Sequence, residues 1–593
     1  MRIITAMASH HVKKSRRTMF FILNIPILLC FCVHVVHAET LHEEAETALK
    51  IVRTWANDNL TVSEEKKLLA GHISGVCVIL SRNGTLLGYG EAFGDEPSLL
   101  SEAAARAFNK VRKNPIILKL PESVRDHALS LIGIEVGIAG KRTPIPTKNL
   151  DKAAMKILRG VDSIAVRRGK NWDVRLPSLM RLSPFRRTVN HLEGMCIKVG
   201  APAADALSHQ LSNQEDITIY KVHFASAYQD ASSENIQFLY RGDEVISTNQ
   251  LLQTGLHAVA DLLASFLVHS QWPGEEAIGI TGTYKPEVDR LDDVFAPLIS
   301  QAMAAEALWK YTKLPRCLYR QEATAVYIRI MNDLAIVNEN ESPITGVLEH
   351  SFVVLASNDE AVLSDEAIAM ITDCKRNVVL AAAQMVDGSL IPKKTLERGV
   401  LSAAVAHIAS QDATVLPLAE KVISACFTTT NEDDRASLIP WIVNASVRVS
   451  NMGSKVDVED IQQLLDNALA SQVVDDSIPD LLGGFSLNTT AGPVVDARSI
   501  RMLPMLATLL PTVEFTPLGE RLALMQSMLL AARFTSQLTT TPERASRFAN
   551  PERAVGGVRS SPWDATMKPE AVAMALIGIS DAIKAINSVA LEH

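Results

Sequence analysis

The chain has 593 residues, of which 47% are hydrophobic and 21% are charged, and its formal net charge is −8. This length predicts more than one hydrophobic core, and the 29 glycines and 26 prolines are too few for a collagen-like or low-complexity chain. Because 58 basic residues are outnumbered by 66 acidic ones and form no stripe, no nucleic-acid partner is predicted.

The first 38 residues have the pattern of a secretory signal peptide. A basic segment at 13–17 precedes an apolar run at 19–33, and a Val-His-Ala sequence ending at Ala38 supplies small residues for cleavage. The run contains Pro26 and is shorter than the about 20 apolar residues of a spanning helix, which argues against an uncleaved membrane anchor. We expect cleavage after Ala38 and a soluble, extracytoplasmic protein, either periplasmic or secreted.

The cysteines that follow residue 38 predict neither a disulfide framework nor a metal site. They are Cys77, Cys196, Cys317, Cys374 and Cys426. An odd number of widely spaced cysteines is not a framework of paired thiols. The sequence contains no Cys-x-x-Cys and no His-Glu-x-x-His pattern, which zinc sites use. We therefore predict no metal and no cofactor.

Residues 41–237 alternate between helix and strand patterns and predict an α+β domain. Apolar positions at helical spacing predict helices at 41–57 and 98–112. Asn83-Gly84 between two apolar runs predicts a tight hairpin. The predicted strand and hairpin segments are 75–80, 85–90, 129–138, 163–171 and 216–224. The polar stretch 229–235 is the predicted link to the rest of the chain.

A series of short motifs in this domain occurs in the order of a known family. The motifs include Leu86-Leu-Gly88, Asn114-Pro115, Gly133-Ile-Glu-Val, Gly160-Val-Asp-Ser-Ile-Ala-Val, Arg175-Leu-Pro177, Cys196-Ile-Lys198-Val-Gly200 and Val222-His-Phe224. Over about 190 residues the chain resembles the AMMECR1 family, which has no settled activity. That family's Leu-Arg-Gly-Cys-Ile-Gly signature is replaced by Leu86–Glu91, without the arginine and cysteine. The resemblance therefore implies the fold and weakens an enzymatic role for this domain.

Residues 245–593 change in character and predict an all-α domain. Long Ala-, Leu-, Val- and Met-rich segments carry helical periodicity. The predicted helices are 251–268, 297–311, 362–386, 397–409, 415–427, 457–470, 500–510, 518–537 and 569–588. The fold class is therefore multidomain, with an α+β domain followed by an all-α domain.

The helical part contains four weak repeats of one pattern. Each has a helix ending near a glutamine, a glycine-containing loop and then a second helix; the glutamines are Gln271, Gln384, Gln472 and Gln537. Such a glutamine can bond backbone groups left unpaired where one helix ends and the next begins. This layout resembles the α/α toroids of six-hairpin glycosidases and terpene cyclases. An irregular α-solenoid is the alternative that the uneven spacing leaves open.

Acidic and aromatic residues in two loops are the candidate site. The weak catalytic candidates are Asp289, Asp293 and Asp564, and the candidate ligand-binding residues are Trp272, Tyr284, Arg559 and Trp563. Paired carboxylates carry out glycoside hydrolysis, and aromatic rings bind sugars. The alternative is structural, with Asp292 or Asp293 capping the helix that starts near Pro297 and Trp563 in the core.

These observations leave two functions open. The favoured one is an exported binding or assembly protein that uses the AMMECR1-like domain and a toroid cavity, with a glycan or a protein as its ligand. The alternative is an extracytoplasmic glycan-active enzyme of hydrolase, lyase or epimerase type. The sequence does not decide whether the protein is an enzyme, because it contains no specific catalytic motif.

Overall fold

The computed structural model describes residues 25–58, 60–63, 73–94, 96–180, 187–212, 216–231, 233–340, 342–489 and 492–591. The predicted signal peptide lies outside these residues as far as residue 24. Its remainder forms the beginning of the helix Ile25–Asn57. Export and cleavage after Ala38 therefore stay predictions.

An antiparallel sheet organises the N-terminal part of the described chain. Its strands are β1 (Gly75–Arg82), β2 (Thr85–Phe93), β3 (Gly133–Ile145), β4 (Ser163–Arg168), β5 (Asn171–Arg175), β6 (Ile217–Gln229), β7 (Gln237–Tyr240) and β8 (Asp243–Glu244). The order is β2-β1-β3-β6-β4-β5, and β7 pairs with β6 and β8. The accompanying helices are α1 (Ile25–Asn57), α2 (Leu99–Arg112), α3 (Pro115–Leu118), α4 (Glu122–Ser130), α5 (Leu150–Ala154), α6 (Pro177–Met180), α7 (Thr188–Lys198) and α8 (Ala203–Leu207).

Most of the predicted elements of this part are confirmed, with one correction. Asn83 and Gly84 have φ values of 45° and 66°, as a two-residue hairpin with Asn-Gly requires. The strand predicted at 129–138 is wrong at its start, because helix α4 continues to Ser130 and β3 begins at Gly133. A short apolar run does not by itself distinguish a buried strand from a helix end.

The described chain from residue 248 onward is helical, as predicted, apart from short hairpins. Its helices are α9 (Thr248–Thr254), α10 (Leu256–His269), α11 (Leu298–Thr312), α12 (Arg320–Asn340), α13 (Val347–Ala356), α14 (Asp365–Val386), α15 (Thr395–Ala409), α16 (Leu416–Thr428), α17 (Trp441–Asn451), α18 (Val458–Ala470), α19 (Met502–Leu509), α20 (Arg521–Leu538), α21 (Pro542–Ala545), α22 (Pro551–Ala554) and α23 (Pro569–Leu591). The hairpin strands are β9 (Tyr284–Lys285), β10 (Arg290–Leu291), β11 (Leu487–Thr489), β12 (Gly492–Val494), β13 (Arg559–Ser561) and β14 (Asp564–Met567). Short 3₁₀-helices lie at Ala413–Val415, Glu432–Leu438 and Ala497–Arg501.

One set of these helices forms a closed series of contacts. Helices α11, α13, α15, α17, α19 and α23 contact one another in that order, and α23 also contacts α11. These helices are apolar on nearly all sides; α15, for example, is buried along most of its length. Helices α10, α12, α14, α16, α18 and α20 alternate with them along the chain. The closed series, called the inner helices below, surrounds a central space.

The loops that enter the inner helices repeat one local geometry. Residues just after the preceding helix form isolated bridges with the loop, at Gln271–Ile280, Gln472–Phe485 and Thr539–Val558. The side chain of Gln472 bonds the carbonyl oxygen of Gly483 in its own loop, as the repeats predicted, and that of Ser527 in α20. The side chain of Gln537 instead bonds the carbonyl oxygen of Glu244 in β8. Gly556 has φ of 80°, and a Cβ there would lie 1.8 Å from the carbonyl oxygen of Leu262 in α10. This last loop therefore packs on α10, the helix that precedes the first inner helix.

A buried ionic cluster joins the sheet to the helical part. The carboxylate of Asp243 in β8 lies 3.3 Å from Arg544 Nε, 3.4 Å from Arg547 Nη1 and 2.5 Å from Arg559 Nη2. Burial acts to raise the pKa of Asp243, but Arg544, Arg559 and Arg547 together hold that pKa below its usual value. Gln537 Nε2 also donates to the carbonyl oxygen of Glu244 at 2.9 Å. These contacts fix the end of the sheet against the loops that enter the inner helices.

Within the described residues, one helix passes the length and hydropathy test for a membrane span. It is Pro569–Ala590, and 67% of its most apolar window is buried inside the protein. A bent pair, Thr248–Thr254 with Leu256–His269, passes the test only as a unit. Because α23 packs against α11, α19 and α10, its apolar surface is used as core.

Candidate functional site

The first predicted cluster lies on the β9–β10 hairpin. Tyr284 donates its hydroxyl to Asp289 Oδ1 at 2.9 Å, and Asn550 Nδ2 donates to the other oxygen at 3.3 Å. Arg553 lies 3.7 Å from the same carboxylate and stacks over the Tyr284 ring. Burial and the Asp289 hydrogen bond raise the pKa of Tyr284. Asp289 is therefore held by local partners and has φ of 46°.

The other predicted acids lie in different settings. Asp293 is exposed and precedes α11, whose N-cap position is Pro297 without a side-chain cap, so the capping alternative for Asp293 is wrong. Asp564 accepts a bond from the backbone N–H of Thr566 at 3.1 Å, within the β13–β14 turn. Pairing of Met567 with Tyr284 places the two hairpins in one small sheet.

The remaining predicted residues have structural partners. Trp272 Nε1 donates to Glu276 at 2.7 Å. Trp563 lies under the guanidinium groups of Arg159 and Arg241, 5.6 and 5.4 Å from its ring centre. Arg559 belongs to the Asp243 cluster described above. The structure brings Tyr284 to Asp289 and gives Trp272, Arg559 and Trp563 separate surroundings.

The space inside the inner helices is a second candidate site, and none of the residues that line it was among the predicted site residues. It opens at their C-terminal ends, opposite the loops that contact the sheet. Its outer part, called the mouth below, has a volume of about 360 Å³. The mouth is lined by Lys310, Asn444, Val447, Arg448, Asn451, Ala507, Thr508, Pro511, Asp581, Lys584, Ala585 and Ser588.

A smaller chamber adjoins the mouth and shares Lys310, Asn444 and Arg448 with it. Its volume is about 40 Å³, and its walls include Met303, Phe352, Trp441 and Met574. A site for one water needs about 10–15 Å³ by this kind of measure, so the inner chamber holds a few waters at most. The mouth is within the size range of small-ligand sites, which begins at about 300 Å³.

Two carboxylates from different inner helices meet one ammonium group in this space. Lys310 Nζ lies 3.0 Å from Asp581 Oδ2 on α23 and 3.6 Å from Glu306 Oε1 on α11. Burial acts to lower the pKa of Lys310, but Asp581 and Glu306 raise it. Burial raises the pKa of Glu306, Asp581 adds to this, and Lys310 opposes it. The ammonium group is therefore charged at neutral pH and bridges both helices.

Arg448 on α17 adds a second cation. Its Nη1 atom lies 2.6 Å from His407 Nδ1. Since a guanidinium only donates, His407 Nδ1 accepts and the neutral imidazole carries its hydrogen on Nε2. Burial and then Arg448 lower the pKa of His407 to about 3. His407 is thus a neutral acceptor that orients Arg448.

The His407 contact predicts a pH-dependent loss of stability. The folded-state pKa lies below the unfolded value near 6.5, so the unfolded chain takes up a proton first as the pH falls. The contribution is complete above pH 6.5 and decreases toward pH 3, by about 1.4 kcal/mol for each pH unit. Urea unfolding at pH 7 and pH 5 should show an extra loss of up to about 2 kcal/mol in the wild type relative to His407→Gln. Equal losses in both proteins would contradict this assignment.

These residues gave a weak signal in the sequence. Glu306 and Lys310 are charged residues in a helix that is otherwise Ala- and Leu-rich, and Asp581 and Lys584 repeat this in α23. A charge on an element that is apolar on every side is costly unless it is paired, and it therefore indicates a site. The pairing itself depends on contact between α11 and α23, which are far apart in sequence.

The altered signature Leu86–Glu91 has a packing role in β2. A Cβ at Gly88 would lie 2.6 Å from the carbonyl oxygen of Ala107, and one at Gly90 would lie 1.9 Å from that of Ala103. These glycines let α2 lie close on the sheet. Burial raises the pKa of Glu91, which lies near Arg175, Lys110 and Lys198. Within the described residues, no group of three or more histidine, cysteine or acidic side chains is arranged to hold a metal ion.

Comparisons with known proteins leave the chain without a family. No family model matches it, and no curated protein matches it. It is similar to a solved structure of the uncharacterised protein PH0010 from Pyrococcus horikoshii, with 19% identity over 34% of this chain and 97% of that one. The TM-score is 0.24, which supports no inference about fold or function. The AMMECR1 and toroid resemblances remain predictions.

Proposed function

We propose that the protein is an exported binding protein with an AMMECR1-like α+β domain and an α/α toroid whose central cavity holds the ligand. The single observation that carries the proposal is the mouth of about 360 Å³, in which charged side chains from three inner helices converge. Sites for small molecules are concave and combine apolar walls with a few such polar groups. A cavity of this size suits a small molecule or the end of a glycan rather than a protein surface.

The toroid part of the proposal is supported by the order of helix contacts. Each inner helix contacts the next, and α23 returns to α11. The Gly556 loop of the last unit lies on Leu262 and Phe266 of the first. A solenoid has free ends, where the first and last units do not meet. The AMMECR1-like part is supported by its ordered motifs and by the antiparallel sheet.

Binding is favoured over catalysis because the carboxylates in the cavity are already engaged. Lys310 contacts both Glu306 and Asp581, so each faces a fixed positive charge. The acids predicted in the loops have separate partners and lie outside the residues that line the cavity. Neither the cavity carboxylates nor the loop carboxylates therefore provide a free general acid together with a free general base.

A glycan-active enzyme is the second candidate, and one observation favours it. Glu306 and Asp581 contact the same ammonium group from different helices, so their nearest oxygens are at most about 7 Å apart, and the paired carboxyl groups of retaining glycosidases are about 5–5.5 Å apart. Burial also raises the pKa of Glu306, as a proton donor requires. Under this alternative Glu306→Gln abolishes product release and leaves binding intact.

The test compares two Asn→Trp variants of residues 39–593 on an oligosaccharide array, with mass spectrometry of any products. Asn451→Trp places a large side chain in the mouth, while Asn467→Trp adds the same group on the exposed surface of α18. We expect binding by the wild type and Asn467→Trp, at least a tenfold loss in Asn451→Trp, and no product. Unchanged binding in Asn451→Trp, or no binding by any protein, would overturn the proposal. Product formation that requires Glu306 would establish the enzyme instead.

A further inference from the structure

We infer that the mouth recognises an anionic group of its ligand, a carboxylate or a phosphate, through Arg448 and Lys584. The inference rests on the proposed function, because it names the chemistry of the ligand that the cavity would hold. It is drawn from the charges and volume of the mouth, which belong to α11, α17, α19 and α23.

The charges around the mouth do not balance. Lys310, Arg448 and Lys584 are its cations, and Asp581 with the neighbouring Glu306 are its acids. Both acids contact Lys310, so that ammonium group is paired twice. Among the described residues, no carboxylate lies within ion-pair distance of Arg448 or Lys584. These five side chains therefore carry one excess positive charge, although the formal net charge of the whole protein is −8.

Of the two cations without an acid in contact, Arg448 is held in place by neighbouring side chains, whereas Lys584 is exposed. Arg448 is half-buried and is oriented by His407 at 2.6 Å and by Ser410 Oγ at 3.4 Å, which are both neutral. Burial lowers the pKa of Arg448, and the carboxylates of Glu306 and Asp581, which are not in contact with it, oppose this shift only in part. An anion between Arg448 and Lys584 would form charge-assisted hydrogen bonds, which are about twice as strong as neutral ones.

The remaining surface of the mouth suits a polar, compact ligand. Asn444 Oδ1 lies 2.7 Å from Thr508 Oγ1, and Asn451 and Ser588 add exposed polar groups at the rim. The inner chamber of about 40 Å³ is too small for an alkyl chain. A fatty acid is therefore disfavoured, and a single sugar ring with one acidic substituent fits the volume and the charge.

Four probes distinguish recognition of the anionic group from recognition of the sugar ring. Glucose, glucuronate and glucose 6-phosphate differ in their C6 substituent, and inorganic phosphate lacks the ring. In calorimetric titrations of residues 39–593 at low salt, we expect glucuronate or glucose 6-phosphate to bind at least about tenfold more tightly than glucose. A preference between those two identifies the carboxylate or the phosphate as the recognised group.

Variants of the two cations test the assignment. Lys584→Gln and Arg448→Gln should each weaken binding of the acidic sugar about tenfold more than they weaken binding of glucose. Lys421→Gln, on the exposed surface of α16, is the control and should have no effect. Equal affinities for glucose and the acidic sugars, lost in Asn451→Trp, would overturn the anion inference but support the proposed binding function. No binding of any probe at millimolar concentration, phosphate included, would overturn the inference; the oligosaccharide array then decides the proposed function separately.

Discussion

Replacement of Asp243 by asparagine is expected to lower the free energy of unfolding by about 3–5 kcal/mol at neutral pH. The carboxylate is buried and lies against Arg544, Arg547 and Arg559, whose charges would lose their counter-ion. Asparagine keeps the size and one acceptor oxygen, so the loss reports the charge. Urea unfolding followed by circular dichroism measures it.

Asp292→Asn provides the control for this prediction. Asp292 also contacts more than one cation, Lys285 at 2.5 Å and Arg290 at 3.1 Å, but it lies on the surface. Exposed ion pairs contribute little, so no measurable change is expected. Equal changes in the free energy of unfolding of Asp243→Asn and Asp292→Asn would contradict a buried ionic cluster between the sheet and the helical part. Because the pKa of Asp243 is lowered, its contribution is present above pH 4 and is lost as the pH falls through the folded-state pKa.

Gly556→Ala is expected to destabilise the protein by about 3 kcal/mol or more. Its φ of 80° costs an alanine about 1–2 kcal/mol, and the added Cβ would lie 1.8 Å from the carbonyl oxygen of Leu262. That carbonyl belongs to the helix backbone and cannot move aside as a flexible side chain can. Chemical unfolding of the variant measures the effect.

Gly388→Ala separates the cost of backbone strain from the cost of the steric clash between an added Cβ at Gly556 and α10. Gly388 has φ of 78°, almost the same value, but nothing lies within 4 Å of an added Cβ. The free energy of unfolding of this variant should therefore fall only by the cost of the backbone conformation, about 1–2 kcal/mol. If both variants lost the same amount, the Gly556 loop would not lie on α10, and closure of the series would be in doubt.

The sequence predicted the elements whose pattern is local. The Asn83-Gly84 hairpin, helix α2 and the long helices α11, α14 and α20 are present close to their predicted bounds. Turn chemistry and amphipathic periodicity act within a few residues, so they are readable without knowledge of the fold.

Helices α12, α13 and α17 were missed. The short helix α13, with 10 residues, is apolar on nearly every side because it is covered all around. Such short apolar runs show no clear periodicity. The predicted helix at 251–268 is divided because Gly255, with φ of 80°, ends α9 and begins α10.

The loop acids were chosen because they are near aromatic residues in sequence, whereas the cavity charges are separated along the chain. Glu306 and Lys310 lie one helical turn apart, but Asp581 and Arg448 reach them only through the closed contacts of the inner helices. Sequence separation therefore hid the cluster. A charged residue in an otherwise apolar helix was the available signal, and it indicates a site without identifying the residues that pair with it.

A crystal structure of residues 39–593 with glucuronate at millimolar concentration tests the central claim most directly. We expect α23 packed against α11 in a closed series, with the sugar in the mouth and its carboxylate within hydrogen-bond distance of Arg448 or Lys584. An open array of helices, or a closed one with an empty mouth and the sugar bound elsewhere, would contradict it.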